Sequence, residues 1–153
     1  MNFEWIELSK WLHEEPHLLH KRLTPDHLAL AAKEDRIVVR REGEMIIGCA
    51  ILWTVPDDEF FELGTICVKK KFRGAGLHRV LFRECIEKRK GRSLFLITAH
   101  QGIKAMVSEA GWEEEQSDWT TVPLWKRIAD PWGDRYPPDS TIKAPGKLYY
   151  RYR

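Results

Sequence analysis

The sequence predicts an α/β (α+β) protein in which helices cover a mixed central sheet. Two patterns support this fold class: apolar residues at helical spacing in the first third, and strand-like apolar runs between Arg36 and Val68. After Val68 helices and strands alternate, and this order of elements builds a sheet with helices on its faces. At 153 residues the chain is predicted to form one domain, residues 1–153.

Two short helices are predicted before the first strand. Apolar residues over 5–12 recur at helical spacing, and Pro16 ends or restarts that helix. Thr24 is typical of an N-cap, and Pro25 follows it in the first turn of a helix whose apolar run is 28–32.

Strands and helices alternate through the remainder. Residues 37–39 and 45–55 are predicted to form a hairpin around Gly43, and 60–68 forms the third strand. Residues 77–86 have helical period and end in cations before Gly91, as helix C-termini often do. The later predictions are a strand at 93–98, a helix at 103–110, strands at 119–127 and 146–153, and a proline-rich functional lid at 129–145.

Composition narrows the class of protein. With 43% hydrophobic residues and a net charge of +2, the chain is globular and lacks the basicity of a dedicated nucleic-acid binder. Cys49, Cys67 and Cys85 are odd in number with apolar neighbours, which favours buried thiols and a reducing compartment. No signal peptide or membrane span is expected, so the predicted location is cytoplasmic.

Residues 68–79 have the composition of an anion site. They leave a strand, turn through a basic loop, and open the helix at 77–86. Unpaired N–H groups at a helix N-terminus attract anions, and Gly74 and Gly76 lack the Cβ atoms that would keep a pyrophosphate away. A plain turn with solvated lysines remains the alternative. Cations around the loop are Lys69, Lys70, Lys71, Arg73 and Arg79.

Residues 68–81 resemble the acetyl-coenzyme A signature of GCN5-related N-acetyltransferases (GNAT), in which Arg or Gln, two residues, Gly, one residue, and Gly or Ala follow a strand. Arg73 and Gly76 match, with His78 at the last small position. Val68, Phe72, Gly74, Leu77 and Leu81 also match. The resemblance implies the GNAT-like acyl-CoA N-acyltransferase fold, with a mostly antiparallel sheet. It implies cofactor contacts at Ile66, Cys67, Val68, Arg73, Gly74, Ala75, Gly76, Leu77, His78, Arg79 and His100.

A second stretch, 103–112, is similar to the family's short helix that ends in Gly and an aromatic residue. The family's Tyr, which protonates the leaving thiolate, is Val107 here, and its cofactor-contacting Asn is His100. Ser108 is the nearest replacement donor. A thiol with a pKa near 8.5 can also leave without help. Tyr136, Tyr149, Tyr150 and Tyr152 are further candidates, but for each of them packing as an aromatic residue is the favoured interpretation.

Glu62 is the candidate general base. Acetyl transfer needs a neutral amine, so a group must take its proton. Glu62 lies six residues before Val68 in an apolar run, at a place similar to the catalytic glutamate of the histone-modifying members. Burial there would raise its pKa toward a useful value. The alternative is a strand-edge carboxylate that faces water.

The predicted function is therefore acetyl-CoA-dependent N-acetylation of an amine-bearing small molecule or peptide. A catalytically weak or inactive acyl-CoA-binding sensor of the same fold is the alternative. An RNA-acetylating toxin, suggested by cations at 69–73 and 88–92, ranks last because the net charge is small. No nucleic-acid or membrane partner is expected, and a homodimer stays open.

Two other signals are discounted. His13 to His17 matches the letters HExxH of zinc proteases, but Pro16 interrupts the helix that this motif needs, so no metal is expected. Aromatic residues are interpreted as core before they are considered as a wall for the acceptor. These are Trp53, Phe60, Trp119, Trp125 and Trp132.

Overall fold

The structure is a computed structural model that describes residues 2–56, 59–131 and 146–153. Its α-helices are α1 (Phe3–His13), α2 (Pro25–Lys33), α3 (Leu77–Glu87), α4 (Gln101–Glu109) and α5 (Pro123–Ile128). Its strands are β1 (Ile37–Glu42), β2 (Met45–Thr54), β3 (Phe60–Val68), β4 (Ser93–Thr98), β5 (Glu113–Glu114) and β6 (Lys147–Arg151). Short 3₁₀ helices lie at His20–Arg22, Lys70–Phe72 and Trp119–Thr121.

The strands form a six-stranded sheet in the order β1-β2-β3-β4-β6-β5. β1 pairs with β2, β4 with β6 and β5 with β6, all antiparallel. β3 and β4 run parallel, with Glu62 opposite Phe95. The predicted mixed, mostly antiparallel sheet flanked by helices is confirmed.

Contacts divide the chain into two compact units. The first comprises the described residues of Met1–Trp53 and Leu63–Arg89, and the second those of Thr54–Glu62 and Lys90–Arg153. Strand β3 therefore contributes its first part to one unit and its second part to the other. The single domain predicted for residues 1–153 stays a prediction.

The core of the first unit lies between α1, α2 and the strands β1 to β3. Both predicted helices are confirmed, and the Thr24 Oγ1 atom accepts a hydrogen bond from the His27 amide at 3.2 Å, as an N-cap does. The three cysteines are buried and free, as expected. The cluster contains Leu8, Leu12, Leu23, Leu28, Ala31, Ile46, Cys49, Ile51, Trp53 and Cys67.

The core of the second unit is rich in aromatic residues. It contains Phe60, Phe95, Trp119, Trp125, Ile128, Ala129 and Leu148. The Phe60 ring meets the Trp125 ring edge to face, with centroids 5.3 Å apart. The core interpretation of Trp53, Phe60, Trp119 and Trp125 is thus confirmed, whereas Trp132 lies outside the described residues.

The strand predicted at 119–127 is wrong. Asp118 accepts hydrogen bonds from the Thr120 amide and hydroxyl, which starts a 3₁₀ turn at Trp119. Pro123 then occupies the first turn of α5, where its missing N–H costs nothing. Trp119 and Trp125 are therefore buried from a 3₁₀ turn and an α-helix instead of from a strand.

Two further departures concern short or undescribed segments. Strand β5 has two residues and gave no pattern in the sequence. Most of the predicted lid at 129–145, including Tyr136, lies outside the described residues. Among the described residues, every helix is too short or too polar to cross a membrane.

Candidate functional site

The pyrophosphate loop, defined as residues 73–79, has a backbone that only glycine adopts readily. Gly74 has φ of 90° and Gly76 has φ of 79°. Both values lie in the left-handed region, where a Cβ atom brings strain. Gly76 is the N-cap of α3, and a Cβ atom built on either glycine would have nothing within 4 Å. The space above the loop is therefore open for a ligand.

The start of α3 presents backbone donors to that space. The amides of Arg79 and Val80 make the first intrahelical hydrogen bonds, both to the Gly76 carbonyl. In an α-helix the amides that precede these have no intrahelical acceptor, and together with the helix dipole they favour an anion. α3 has 11 residues, enough for this dipole to develop. The predicted order of strand, glycine-containing loop and helix is observed, and anion binding at this place stays a prediction.

Arg73 is held beside the strand end by two contacts. Its Nε atom donates to the Val68 carbonyl at 2.8 Å, and its Nη2 atom lies 3.4 Å from Oε1 of Glu15. Glu15 follows α1 and was not connected with the loop in the sequence. Lys69 donates its amide to the Ile47 carbonyl at 2.8 Å. The guanidinium is thus positioned at the loop before any ligand arrives.

The residues before the loop are mostly enclosed. Cys67 and Val68 are buried and Ile66 is half-buried. Burial raises the pKa of the Cys67 thiol to about 12, so it is protonated at neutral pH. The polar groups that Ile66, Cys67 and Val68 offer to a cofactor arm are therefore those of the backbone.

Strand β3 is locally irregular at Gly64. The indole N–H of Trp53 donates to Oγ1 of Thr65 at 3.1 Å. A Cβ atom on Gly64 would lie 2.6 Å from Cδ1 of the same Trp53 and 2.2 Å from Nη2 of Arg22. Successive residues of a regular strand face opposite sides, yet both of these face Trp53. Close contact by Arg22 and Trp53 explains why glycine stands at position 64.

Glu62 is fully buried, with a relative exposure of 0%. The sequence had left open a carboxylate that faces water, and this burial excludes that alternative. Glu62 stands opposite Phe95 on β4, and Phe60 lies two residues earlier on the same face of β3. Two of its neighbours on the sheet are therefore aromatic. Its role as a base stays a prediction.

The predicted residues His100, Val107 and Ser108 take different positions on helix α4. The Nδ1 atom of His100 accepts hydrogen bonds from the amides of Gly102 and Ile103, so this side chain is the N-cap of α4. Val107 is fully buried, whereas Ser108 is exposed on the next position around the helix. Cofactor contact by His100 and proton donation by Ser108 stay predictions.

The tyrosines of β6 pack as core residues. The Tyr149 hydroxyl lies 3.5 Å from Oε1 of Glu114, and burial followed by the Glu114 charge raises its pKa. The Tyr150 ring packs 5.4 Å from Trp125, and a hydrogen bond with Glu113 raises its pKa to about 12. Both phenols therefore keep their protons at neutral pH. Their packing favours the interpretation as packed aromatic residues.

The HExxH letters do not form a zinc-protease motif. Helix α1 ends at His13, so His17 lies beyond it and the two rings do not share a helix face. The His13 ring instead lies 5.0 Å from the His20 ring, and its Nδ1 atom bonds the Ser9 carbonyl at 2.8 Å.

Comparison with known proteins agrees with this architecture. The model of the acetyltransferase (GNAT) family matches residues 2–107. No curated protein sequence matches significantly. Among solved structures, N-acetylglutamate synthase from Neisseria gonorrhoeae, complexed with coenzyme A and N-acetyl-glutamate, superposes with a TM-score of 0.65 at 19% identity. The match covers 96% of this chain but only 31% of the synthase.

Two other similar structures have nearly the length of this chain. A GNAT-family structure from Desulfovibrio desulfuricans has a TM-score of 0.65 at 15% identity, covering 99% of this chain and 94% of its own. A GNAT-family acetyltransferase from Elizabethkingia anophelis with acetyl-CoA bound has a TM-score of 0.53 at 17% identity, covering 84% and 82%. At such identities these likenesses establish the fold.

Proposed function

Since this chain belongs to the acetyltransferase (GNAT) family, we propose that it moves an acetyl group from acetyl-CoA to the amine of a small molecule or peptide. One observation carries the proposal. The segment that resembles the family's signature has left-handed Gly74 and Gly76 in front of α3, with open space above both. This arrangement suits a pyrophosphate, because amides and a helix dipole act on an anion together.

The binding roles follow from the contacts of the loop. The pyrophosphate lies against the backbone of residues 73–79, with Arg73 beside it at the strand end. The pantetheine arm runs along the backbone of Ile66 to Val68. Because these side chains offer it no exposed polar group, it is recognised through main-chain hydrogen bonds. No metal takes part in the proposed reaction.

The chemistry is direct attack by the acceptor. The amine nitrogen forms a bond to the acetyl carbon while the carbon–sulfur bond breaks, and the electron pair of that bond leaves on the thiolate. Glu62 takes the proton that the nitrogen loses. Its place in the buried part of β3, six residues before Val68, supports this role. The thiolate leaves unaided or takes a proton from water, since its pKa is near 8.5.

Thermal unfolding with and without acetyl-CoA tests the cofactor site. A ligand that binds only the native state raises the midpoint. We expect acetyl-CoA to raise it for the wild type and not for Gly76→Glu, which places an anion in the loop. Gly91→Glu is the matched control, because Gly91 also has φ of 79° and open space around its Cβ position. It carries the same backbone strain outside the loop and should keep the full shift.

Either of two results overturns the cofactor site. The first is a wild-type midpoint that millimolar acetyl-CoA does not move. The second is a Gly76→Glu variant that keeps the same shift as Gly91→Glu.

The sensor function remains the second candidate, and the helix α4 observations favour it. Val107 has no proton to give and is fully buried, while Ser108 faces solvent. A panel of amines distinguishes the two functions. It should begin with glutamate and other amino acids, because one similar structure is N-acetylglutamate synthase. Turnover of any amine supports the enzyme, and cofactor binding without turnover across amino acids, polyamines and peptide amines supports the sensor.

A further inference from the structure

Three side chains of the first unit meet beside the pyrophosphate loop. A carboxylate oxygen of Glu15, a ring nitrogen of His17 and the sulfur of Cys67 all lie within 4.8 Å of one another. Among the described residues, 2–56, 59–131 and 146–153, no other three His, Cys, Asp or Glu side chains come this close together. None of these three side chains has a role in the proposed acetyl transfer, in which Cys67 takes part only through its backbone.

The backbone around Glu15 holds this side chain in place. The Glu15 amide donates to the Leu12 carbonyl at 3.2 Å, and the Leu18 amide donates to the Glu15 carbonyl at 3.3 Å. The His20 ring nitrogen Nε2 also donates to the Glu15 carbonyl at 2.8 Å. Three hydrogen bonds therefore fix the turn that follows α1. Glu15 and His17 reach Cys67 from this turn without depending on a flexible loop.

The three donors range from buried to exposed. The Cys67 side chain is buried, the Glu15 side chain has a relative exposure of 19%, and the His17 side chain has 60%. The three potential ligands thus extend from the exposed His17 ring inward to the buried thiol. Nδ1 of His17 lies 3.7 Å from Oε2 of Glu15. Ligands of a tetrahedral zinc ion with bonds of about 2.0–2.3 Å are about 3.3–3.6 Å apart, so the three atoms, which lie within 4.8 Å of one another, draw together when they coordinate one ion.

We propose that Glu15, His17 and Cys67 form a binding site for a zinc-type divalent cation. A thiolate, an imidazole and a carboxylate together select a borderline-soft metal such as zinc over magnesium or calcium. Three protein ligands leave a fourth position for water. The sulfur–metal bond forms as the thiol proton leaves to solvent, and the thiolate and carboxylate then balance the two positive charges.

The contact with Arg73 is compatible with a cation at this site. Arg73 meets Oε1 of Glu15, whereas His17 faces Oε2 of the same carboxylate. A carboxylate can accept an ion pair on one oxygen and a metal on the other. The cation therefore joins the turn after α1 to the end of β3, with a structural role that is separate from the transfer of the acetyl group.

Cobalt titration of the full chain, after treatment with a chelator, tests the site. Co²⁺ takes the place of zinc and gives a thiolate-to-metal charge-transfer band together with visible bands of tetrahedral geometry. We expect both in the wild type, and we expect zinc to abolish them by competition. His17→Ala and Glu15→Gln should weaken cobalt binding by about tenfold or more, since each removes a ligand.

Controls separate this site from adventitious binding. Cys67→Ser should lose the charge-transfer band, whereas Cys85→Ser, another buried thiol, should keep it. Glu14→Gln should bind cobalt as the wild type does. The proposal is overturned if the wild type gives no charge-transfer band at equimolar cobalt, or if the band persists in Cys67→Ser. Equal cobalt affinity of His17→Ala and the wild type overturns it too. Because His17 is exposed, this variant tests the proposal even if Cys67→Ser does not fold.

Discussion

The pyrophosphate loop follows strand β3 after a short 3₁₀ helix, but the two are built in opposite ways. The loop is exposed from Arg73 to Gly76 and owes its shape to two left-handed glycines. β3 is largely buried and carries a fully buried carboxylate, Glu62, together with a glycine that two side chains crowd. The loop acts through backbone groups, so a short motif specifies it. β3 acts through side-chain surroundings that distant residues provide.

Glu62→Gln gives the largest expected effect, because it removes the proposed general base on the buried strand β3. Loss of a general base lowers kcat by about 10²- to 10⁴-fold. The acetyl-CoA-induced shift in midpoint should remain, because the loop is unchanged. Steady-state kinetics with an accepted amine measures the first quantity and thermal unfolding the second. Glu59→Gln is the control, since this glutamate precedes β3 and its side chain is 56% exposed. A Glu62→Gln variant with the wild-type kcat removes Glu62 from the mechanism.

Alkaline pH should weaken the fold through the buried thiol of Cys85 on α3. Burial raises the pKa of Cys85 to about 12, well above the value of about 8.5 expected in the unfolded chain. Above pH of about 8.5 the unfolded state loses this proton while the folded state keeps it. The free energy of unfolding therefore falls as pH rises from about 8.5 toward 12.

Urea unfolding at several pH values measures this slope. Cys85→Ala should reduce the slope by up to about 1.4 kcal/mol per pH unit, the contribution of one proton. Below pH of about 8 the free energy of unfolding of this variant should depend on pH as that of the wild type does. A variant whose alkaline slope equals that of the wild type would show that the Cys85 thiol does not contribute.

The same contrast explains what could be predicted from the sequence. The pyrophosphate loop and the N-cap of α2 were predictable because Gly74, Gly76 and Thr24 act through local backbone geometry. Strand β4 was predictable because it is a short apolar run. The contact of Arg73 with Glu15, and the approach of Cys67 to Glu15 and His17, join residues about fifty positions apart. Such contacts depend on tertiary packing and leave no local signal. At the strand wrongly predicted for 119–127, two local signals of helical structure are present in the sequence: Asp118 as a cap, and Pro123 in a first helical turn.

Gly64→Ala tests how tightly β3 is packed. The new Cβ atom would lie 2.2 Å from Arg22 and 2.6 Å from Trp53, both buried. Both side chains or the strand must shift to admit it, so we expect a loss of about 1–3 kcal/mol in the free energy of unfolding. Gly48→Ala is the matched strand control, because its nearest neighbour is the end of the Leu81 side chain at 3.0 Å. Chemical denaturation should give the smaller loss for Gly48→Ala, and the reverse order would contradict the crowding at Gly64.

Asp35→Asn should give the smallest effect, because it changes an exposed turn that a charge stabilises. Asp35 has φ of 53°, which asparagine also tolerates, so the substitution removes charge without new backbone strain. A hydrogen bond from Lys88 lowers the pKa of Asp35, and solvent around the pair limits its contribution to under about 1 kcal/mol. Because the folded pKa lies below the unfolded value of about 3.9, this stabilisation is present above that pH and is lost as pH falls through the folded pKa. The midpoints of variant and wild type should therefore differ slightly at pH 7 and converge in acid, whereas a difference that persists in acid would mean that conformation, and not charge, holds this turn.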